Sequence, residues 1–452
     1  MVTRPSLTVP ETRYAQNGDV HLAYQTLGEG PPDLLSVLAG PGSHIEHLWE
    51  EPAIARSTRR FATYGRVILF DQRGSGLSDP VGPRDVPTMD QHVDDIRAVL
   101  DEAGSERAVV MGYLAGTAPA MVFAASHPER VKSLMLFGPY ARLTIDDDYP
   151  IGVPPDVVNQ IVQVTLATWG KGGALPFFAP SMADDERFKL WWGQMERLSA
   201  SPGTAAALIR QWFDIDVRRV LPTIRVPTLV MVQKDQPLVT PVHARYVADH
   251  IPGAQYVEVE GRDLHFFTGD TDPMFRVIED FLGATHDRAE PDRVLGTVLF
   301  IDIVGSTTMA VDMGDRRWRD LLESYDRLIG RQLDRFRGRL IDTAGDGALA
   351  LFDSPARAIS AARAVRDAVR ALGIEVRAGI HTGELELREG GGVGGIAVHI
   401  GARIGALAEG GQILVSRTIK DLTAGSSIQL ESRGVQRLKG IAEPWEVFAV
   451  LD

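Results

Sequence analysis

Two aspartates in the last third of the chain stand where carboxylates can hold a divalent cation. Asp302 closes an apolar run predicted to be a strand, and the small-residue turn 305–307 follows it before a helix. Asp346 lies in a Gly-Asp-Gly sequence at the tip of a β-hairpin predicted over 338–352. Mg²⁺ is usually held by one or two carboxylates together with substrate phosphates, and N–H groups at a helix start receive phosphate oxygens. Each motif alone is common, but their combination predicts a site for a metal-bound nucleotide.

A third polar pair follows the glycine-rich segment 392–395. His399 and Arg403 lie four residues apart on the helix predicted there, so both side chains project from one helix face. By itself, such a pair is more typical of a solvated helix surface.

A strand and a long helix must position the aspartates. The apolar run 296–301 predicts the strand that leads to Asp302. Apolar residues then recur at three- and four-residue spacing, which predicts an amphipathic helix. These residues are Trp318, Leu321, Leu322, Tyr325, Leu328, Ile329, Leu333 and Phe336.

The first part of the chain, 1–285, has a different rhythm, in which short apolar runs alternate with helical stretches such as 89–103 and 117–126. This alternation predicts an α/β doubly wound sheet. The predicted strands are Leu34–Leu38, Arg66–Phe70, Ala108–Met111, Leu134–Phe137, Thr228–Val232 and Gln255–Val259. The stretch 142–221 interrupts the rhythm and holds four of the seven tryptophans, which predicts a helical cap. Those aromatic rings are expected to pack the cap onto the sheet, with the lining of an apolar pocket as the alternative.

A strand-to-helix turn in this first part carries a family pattern. Gly112-Tyr-Leu-Ala-Gly116, with Asp71–Asp79 and His127–Val131, resembles the α/β-hydrolase family over residues 12–285. In that family the turn is G-x-S-x-G, and its serine is the nucleophile. Leu114 occupies the serine position here, and an isobutyl group has no lone pair with which to attack.

The other two members of a catalytic triad have candidates in Asp235 and His265. Without a serine, the resemblance implies a degenerate, catalytically inactive hydrolase. One interpretation is a sensor that binds a small apolar ligand and regulates its neighbour; the other is a scaffold.

Length, net charge and composition limit the number of domains, the kinds of partner and the cellular location that the chain can have. A chain of 452 residues favours two domains, which we place at 1–285 and 293–452 with a charged linker at 286–292. The net charge of -13 argues against nucleic-acid binding. The absence of cysteine fits a reducing cytoplasm, and no apolar run approaches the roughly 20 residues of a membrane span. We therefore expect a cytoplasmic protein.

The polar motifs of the last third together resemble a class III nucleotidyl cyclase of the actinobacterial type. The motifs are F-x-D-I-V-G-S-T, G-D-G and V-H-x-x-A-R, and the resemblance covers 293–452. It implies an α+β, ferredoxin-like βαββαβ domain that works as a homodimer, with sites at the subunit interface. It also implies conversion of ATP to cyclic AMP with two Mg²⁺ or Mn²⁺ ions per active site.

The same resemblance assigns roles to individual residues. The metal ligands are Asp302, Ile303 and Asp346, and the phosphate-binding turn is Gly305, Ser306 and Thr307. Arg403 of the partner stabilises charge on the transferring phosphoryl group. His399 stands where the family usually has the asparagine that orients the ribose.

Two positions depart from the family pattern for reading the purine. Asp342 stands at the position of the usual lysine, and Gly392 at that of the usual aspartate. An ionised carboxylate only accepts hydrogen bonds, which suits N1–H and the amino group of guanine. Three interpretations stay open: relaxed adenine preference, preference for GTP, and low activity. A separate hypothesis is that the whole chain is a ligand-binding regulator with only residual cyclase activity. The usual substrate of this bacterial group favours ATP, with GTP as the alternative.

Overall fold

A computed structural model describes residues 9–38, 40–264, 271–284, 293–344, 346–387, 392–441 and 443–451. The chain divides into two units, Met1–Pro291 and Asp292–Asp452. The linker predicted at 286–292 lies outside the described residues. Within the described ranges, no helix combines the length and apolar character that a membrane crossing requires.

The first unit contains an eight-stranded sheet in the order β1-β2-β4-β3-β5-β6-β7-β8. Its strands are β1 (Arg13–Asn17), β2 (Val20–Leu27), β3 (Asp33–Val37), β4 (Arg66–Phe70), β5 (Ala108–Tyr113), β6 (Val131–Phe137), β7 (Thr228–Gln233) and β8 (Gln255–Val259). Strands β3 to β8 are parallel, whereas β1 and β2 are antiparallel. All six predicted strands are present. Strands β1 and β2 were not predicted: β1 buries only Ala15 and has no apolar run, whereas the buried segment of β2, residues 22–25, is short and ends in a glutamine.

Helices cover this sheet, and four of them lie within the stretch 142–221 for which a cap is predicted. The helices are α1 (Pro52–Phe61), α2 (Met89–Glu102), α3 (Thr117–Ser126), α4 (Pro155–Thr168), α5 (Leu175–Phe178), α6 (Glu186–Ser199), α7 (Pro202–Asp214), α8 (Pro241–His250) and α9 (Asp272–Ala284). Helices α4 to α7 are the four within that stretch. Capping side chains fix the first residue of several of these helices. Thr88 and Gln91 form a reciprocal capping box at α2, and Asp185 and Ser201 cap α6 and α7.

The second unit begins with the predicted ferredoxin-like core. Its elements are β9 (Arg293–Ile303), α10 (Ser306–Met313), α11 (Asp315–Arg335), β10 (Arg339–Ala344), β11 (Gly347–Phe352), α12 (Pro355–Val369) and β12 (Val376–Leu387). The remaining elements are β13 (Val393–Gly394), α13 (Ile396–Leu407), β14 (Ile413–Ser416), α14 (Arg417–Leu422), β15 (Leu430–Gln436) and β16 (Trp445–Val450). The sheet order β10-β11-β9-β12 has the ferredoxin-like arrangement, and β14, β16 and β15 extend it beyond β12.

The apolar face of α11 packs into the main core of this unit. Tyr325, Ile329 and Leu333 are 1% exposed and lie with α12 against the inner face of the sheet. This stripe is the one that the three- and four-residue spacing predicted.

Helix α13 lies close to the opposite face of the same strands. A Cβ added at Gly379 of β12 would stand 2.1 Å from the backbone nitrogen of Gly405, and one added at Gly401 would stand 2.7 Å from Val298 of β9. Glycine therefore permits an approach of helix to strand that any side chain would prevent.

Candidate active site

The metal-ligand candidates lie where strands β9 and β11 end. Asp302 of β9 pairs directly with Gly347 of β11. Asp346 immediately precedes Gly347 in the chain, so it lies next to the residue that faces Asp302. Neighbouring strands lie about 5 Å apart, which puts the two aspartates at one end of the sheet. Both are half-buried. No group of three or more histidine, aspartate or glutamate side chains converges among the described residues, so this site offers two carboxylates.

On its other side, Asp302 pairs with Arg377 of β12. The Nε and Nη2 atoms of Arg377 both donate to Oδ2 of Asp302, at 3.0 and 2.6 Å. Sequence reasoning missed Arg377. Its position in the apolar run 376–380 was the available signal, because an arginine in a buried strand usually has a carboxylate partner.

A buried hydroxyl lies beneath the two aspartates. Tyr325 of α11 is 1% exposed, and its hydroxyl has no hydrogen-bond partner among the described residues. Burial raises the pKa of Tyr325, and the negative charges of Asp302 and Asp346 raise that pKa further. The helix pattern predicted Tyr325 as a core residue and gave no sign that its hydroxyl faces this charge.

The predicted phosphate-binding turn connects β9 to α10. Gly305 adopts a left-handed conformation with φ of 68°, directly before the first helical residue, Ser306. Gly305 and Thr307 are exposed and Ser306 is half-buried. Ile303 is buried at the strand end. The first N–H groups of α10 have no partner within their own helix, so they can receive phosphate oxygens.

A cavity of about 260 Å³ adjoins Asp302. It is lined by Asp302, Asp342, Arg377, Phe300, Leu349 and Ala406, among others. Asp342 is exposed and follows an irregularity in the pairing of β10 with β11. The structure thus places the candidate purine reader and a candidate metal ligand on one cavity.

The third predicted group is not assembled with the other two. His399 and Arg403 are exposed on α13, whereas Gly401 and Gly405 of the same helix face the sheet. Neither side chain lines the cavity next to Asp302. Gly392, half-buried, precedes β13. In one copy of the chain the arginine is therefore exposed and does not line the cavity next to Asp302.

The hydrolase-like turn of the first unit keeps the family geometry without the nucleophile. Leu114 has φ of 49°, a left-handed conformation that is rare for a bulky side chain. Added Cβ atoms would stand 2.8 Å from Thr117 at Gly112 and 2.2 Å from Val37 at Gly116. Both glycines of the turn are thus required by packing, and the sharp turn persists with leucine at its apex.

Of the other two triad candidates, Asp235 lies within the described residues and His265 does not. Asp235 is exposed in the turn after β7, where its backbone N–H donates to Gly261. His265 lies outside the described residues.

An apolar cavity of about 90 Å³ lies between the cap and the sheet. Leu114, Phe178, Trp169, Trp192 and Trp212 are among its lining residues. The indole N–H groups are satisfied elsewhere: Trp212 donates to Gly40 at 3.0 Å, and Trp192 donates to Glu196 at 3.0 Å. The tryptophans therefore both pack the cap and line a pocket, so the two interpretations of the aromatic cluster hold together.

Comparison with known proteins assigns a family to each unit. Residues 40–270 match the α/β-hydrolase fold, and residues 290–451 match the adenylate and guanylate cyclase catalytic domain. A putative carbamate hydrolase, RutD, from Azorhizobium caulinodans is 31% identical over 269 residues, which cover 58% of this chain and 94% of that protein.

Solved structures resemble the two units separately. An esterase from Exiguobacterium antarcticum aligns at 23% identity with a TM-score of 0.51, over 61% of this chain and 99% of its own. The adenylyl cyclase CyaB from P. aeruginosa aligns at 24% identity with a TM-score of 0.34, over 35% of this chain and 95% of its own.

The chain thus belongs to the α/β-hydrolase-fold family and carries a class III adenylate and guanylate cyclase catalytic domain in its last third. The family assignments made from the motifs are confirmed for both units. They establish a nucleotidyl cyclase domain that follows, along the chain, a hydrolase fold whose nucleophile position holds Leu114.

Proposed function

We propose that the protein converts ATP to cyclic AMP and pyrophosphate, with GTP as the alternative substrate. The observation that carries this proposal is the placement of Asp302 and Asp346 at the adjoining ends of β9 and β11. Two carboxylates fit Mg²⁺ or Mn²⁺, since these cations commonly complete their coordination with substrate phosphates and water. Asp302, Asp346 and the main-chain carbonyl of Ile303 would hold them. Cations bound there would lower the pKa of the ribose 3′-hydroxyl and neutralise the leaving pyrophosphate.

The chain's own residues orient and stabilise the reacting groups. The N–H groups that follow Gly305 bind the phosphates. A bond forms between the ribose 3′-oxygen and the α-phosphorus while the bond to the β-phosphate oxygen breaks, and the 3′-hydroxyl proton passes to solvent. Arg403 of a second copy stabilises the charge on the transferring phosphoryl group. His399 of that copy hydrogen-bonds the ribose.

Full-length protein with Mn²⁺ or Mg²⁺ and either nucleotide tests this proposal, with the cyclic product separated by chromatography. Asp302→Asn and Asp346→Asn each remove a ligand charge, and we expect each to lower the rate roughly a hundredfold or more. Asp312→Asn changes an exposed carboxylate of α10 and is expected to leave the rate unchanged. Wild-type rates in Asp346→Asn would contradict the mechanism.

The same assay decides between the two nucleotides. Asp342 presents an acceptor toward the cavity beside Asp302, so both ATP and GTP are measured at matched concentration. A faster rate with GTP would assign the protein as a guanylate cyclase and retain the catalytic scheme.

We infer in addition that the hydrolase-like unit is a non-hydrolytic sensor for a small apolar ligand. The specific observation is the apolar cavity that Leu114 lines at the nucleophile position. A cavity of about 150 Å³ lined by apolar side chains binds benzene, so one of about 90 Å³ suits a smaller compact molecule unless the cap moves.

Ligand-dependent stabilisation tests the sensor. Short-chain alcohols, and benzene as a probe larger than the cavity, are titrated into the full chain while the thermal midpoint and the cyclase rate are measured. Ala174→Leu fills the cavity and is expected to abolish any shift, whereas Ala167→Leu on the exposed face of α4 is the matched control. Ester turnover by the wild-type chain that disappears in His265→Ala would instead make this unit a working hydrolase.

A further inference from the structure

The carboxylate of Asp302 is already engaged by a cation from its own chain. Both bonds from Arg377, at 3.0 and 2.6 Å, end on the same oxygen, Oδ2. A charge-assisted pair of this kind is among the stronger hydrogen bonds that a partly exposed carboxylate can make.

The backbone fixes the base of this pair. Arg377 stands directly opposite Asp302 in the register of β12 with β9, and its chain neighbours Val376 and Ala378 are 2% and 3% exposed. The guanidinium end is freer, because 35% of the Arg377 side chain and 37% of the Asp302 side chain are exposed. The guanidinium group of Arg377 can therefore move into solvent without disturbing the sheet.

A divalent cation and this guanidinium cannot share the oxygen. Mg²⁺ binds carboxylate oxygens at about 2.0–2.1 Å through a lone pair, and the two lone pairs of Oδ2 already accept the two N–H donors of Arg377. The two positive charges would also repel each other at short range. Asp346, by contrast, has no hydrogen bond or ion pair among the described residues. The two candidate ligands are thus unequally available.

We propose that Arg377 is an internal competitor for the metal site, which occupies Asp302 until a divalent cation displaces it. This inference rests on the proposed function. Arg377 sets the cation concentration at which the site fills, because a cation at Oδ2 of Asp302 must first displace the guanidinium, and a cation at Oδ1 is repelled by the adjacent guanidinium charge.

Metal binding without nucleotide isolates this effect from catalysis. Full-length protein is titrated with Mn²⁺, and free Mn²⁺ is followed by its electron paramagnetic resonance signal. Arg377→Gln removes the competing charge, and we expect it to bind Mn²⁺ roughly three- to tenfold more tightly than the wild type. Arg377→Lys keeps the charge without the two-pronged donor, and an intermediate affinity is expected.

Arg293→Gln provides a matched control. Arg293 and Glu384 form a charge pair at 3.7 Å between the same two strands, far along the sheet from Asp302. Mn²⁺ affinity in this variant is expected to equal that of the wild type. Circular dichroism and thermal midpoints establish that the variants are folded, and if Arg377→Gln is not, Arg377→Lys carries the test.

The outcomes separate this inference from the proposed function. Wild-type binding with no tightening in Arg377→Gln or Arg377→Lys would overturn the competitor role and leave the cyclase mechanism standing. Failure of the wild type and all variants to bind Mn²⁺, even with nucleotide present, would overturn both. Tightening that appears equally in Arg293→Gln would reduce the effect to net charge and also overturn the inference.

Discussion

Leu114 is the residue on which the chemistry of the first unit depends. It holds a left-handed conformation with φ of 49° at the apex of the strand-to-helix turn, and its side chain is 8% exposed. Such a conformation costs an L-residue roughly 1–2 kcal/mol. The turn therefore retains the strained backbone conformation that would present a nucleophile. Leucine gains from this position only the burial of its apolar side chain.

This strain predicts an unusual order of stability at position 114. Leu114→Ala and Leu114→Gly both lose the buried isobutyl group, at about 2–5 kcal/mol. Glycine alone relieves the positive φ, so we expect Leu114→Gly to be more stable than Leu114→Ala by about 1 kcal/mol in urea unfolding. Leu136, fully buried on β6, is the control, where alanine should be the better replacement. The usual order at both positions would show that Leu114 is unstrained.

At the cyclase site, residue types alone pointed to some participants and not to others. Asp302 and Asp346 stand out because carboxylates beside glycine-rich turns suit cations. Arg377 and Tyr325 do not, because only strand register and helix packing bring them to Asp302. The roles of Asp302, Asp346 and Arg377 remain predictions that the substitutions described above test.

Helix α13 is the element that determines how Arg403 is presented. Gly405 of this helix lies against Gly379 of β12, where an added Cβ would stand 2.1 Å from backbone. The approach turns the glycine face of α13 to the sheet and leaves His399 and Arg403 on the exposed face. Small residues on one side thus orient charged residues on the other.

Substitution at Gly379 tests this packing. Gly379→Ala is expected to destabilise the cyclase unit by about 2 kcal/mol or more and to lower the cyclase rate, since the helix must move outward. Gly330→Ala on α11 meets no atom within 4 Å and is expected to stabilise by about 0.5–1 kcal/mol through helix propensity. Unfolding in urea and product formation are measured for both. Equal stability of the two variants would contradict the close approach.

The sequence predicted some helices and strands and not others, and the difference has a physical reason. Long amphipathic periodicity fixed α11, and continuous apolar runs fixed the parallel strands of the first sheet. The edge strand β1 was not predicted, because its side chains are mostly exposed and its polar and apolar residues alternate only weakly. Hydrophobic periodicity in a sequence reflects which side chains are buried. A helix or strand that buries few side chains therefore shows only a weak periodic pattern.

For the whole molecule, outward presentation of Arg403 predicts that active sites are shared between two copies. Asp346→Asn and Arg403→Ala are each expected to be nearly inactive alone. Mixed after joint refolding, they form hybrid dimers with one intact site, and the expected activity is about a quarter of the wild type. Co-expression with two affinity tags gives the hybrid directly as a check. Mixtures no more active than either variant would contradict a shared site.

The sequence by itself determined the two families and the sheet classes, and it supplied the candidate catalytic groups, whose roles remain predictions. Those depend on local patterns: apolar runs, helical spacing, glycine turns and the leucine at position 114. Only the tertiary structure decided which groups meet, because strand register sets contacts between residues far apart in the chain. Register puts Arg377 on Asp302, and the packing of α13 on β12 leaves Arg403 exposed and outside the lining of the cavity next to Asp302.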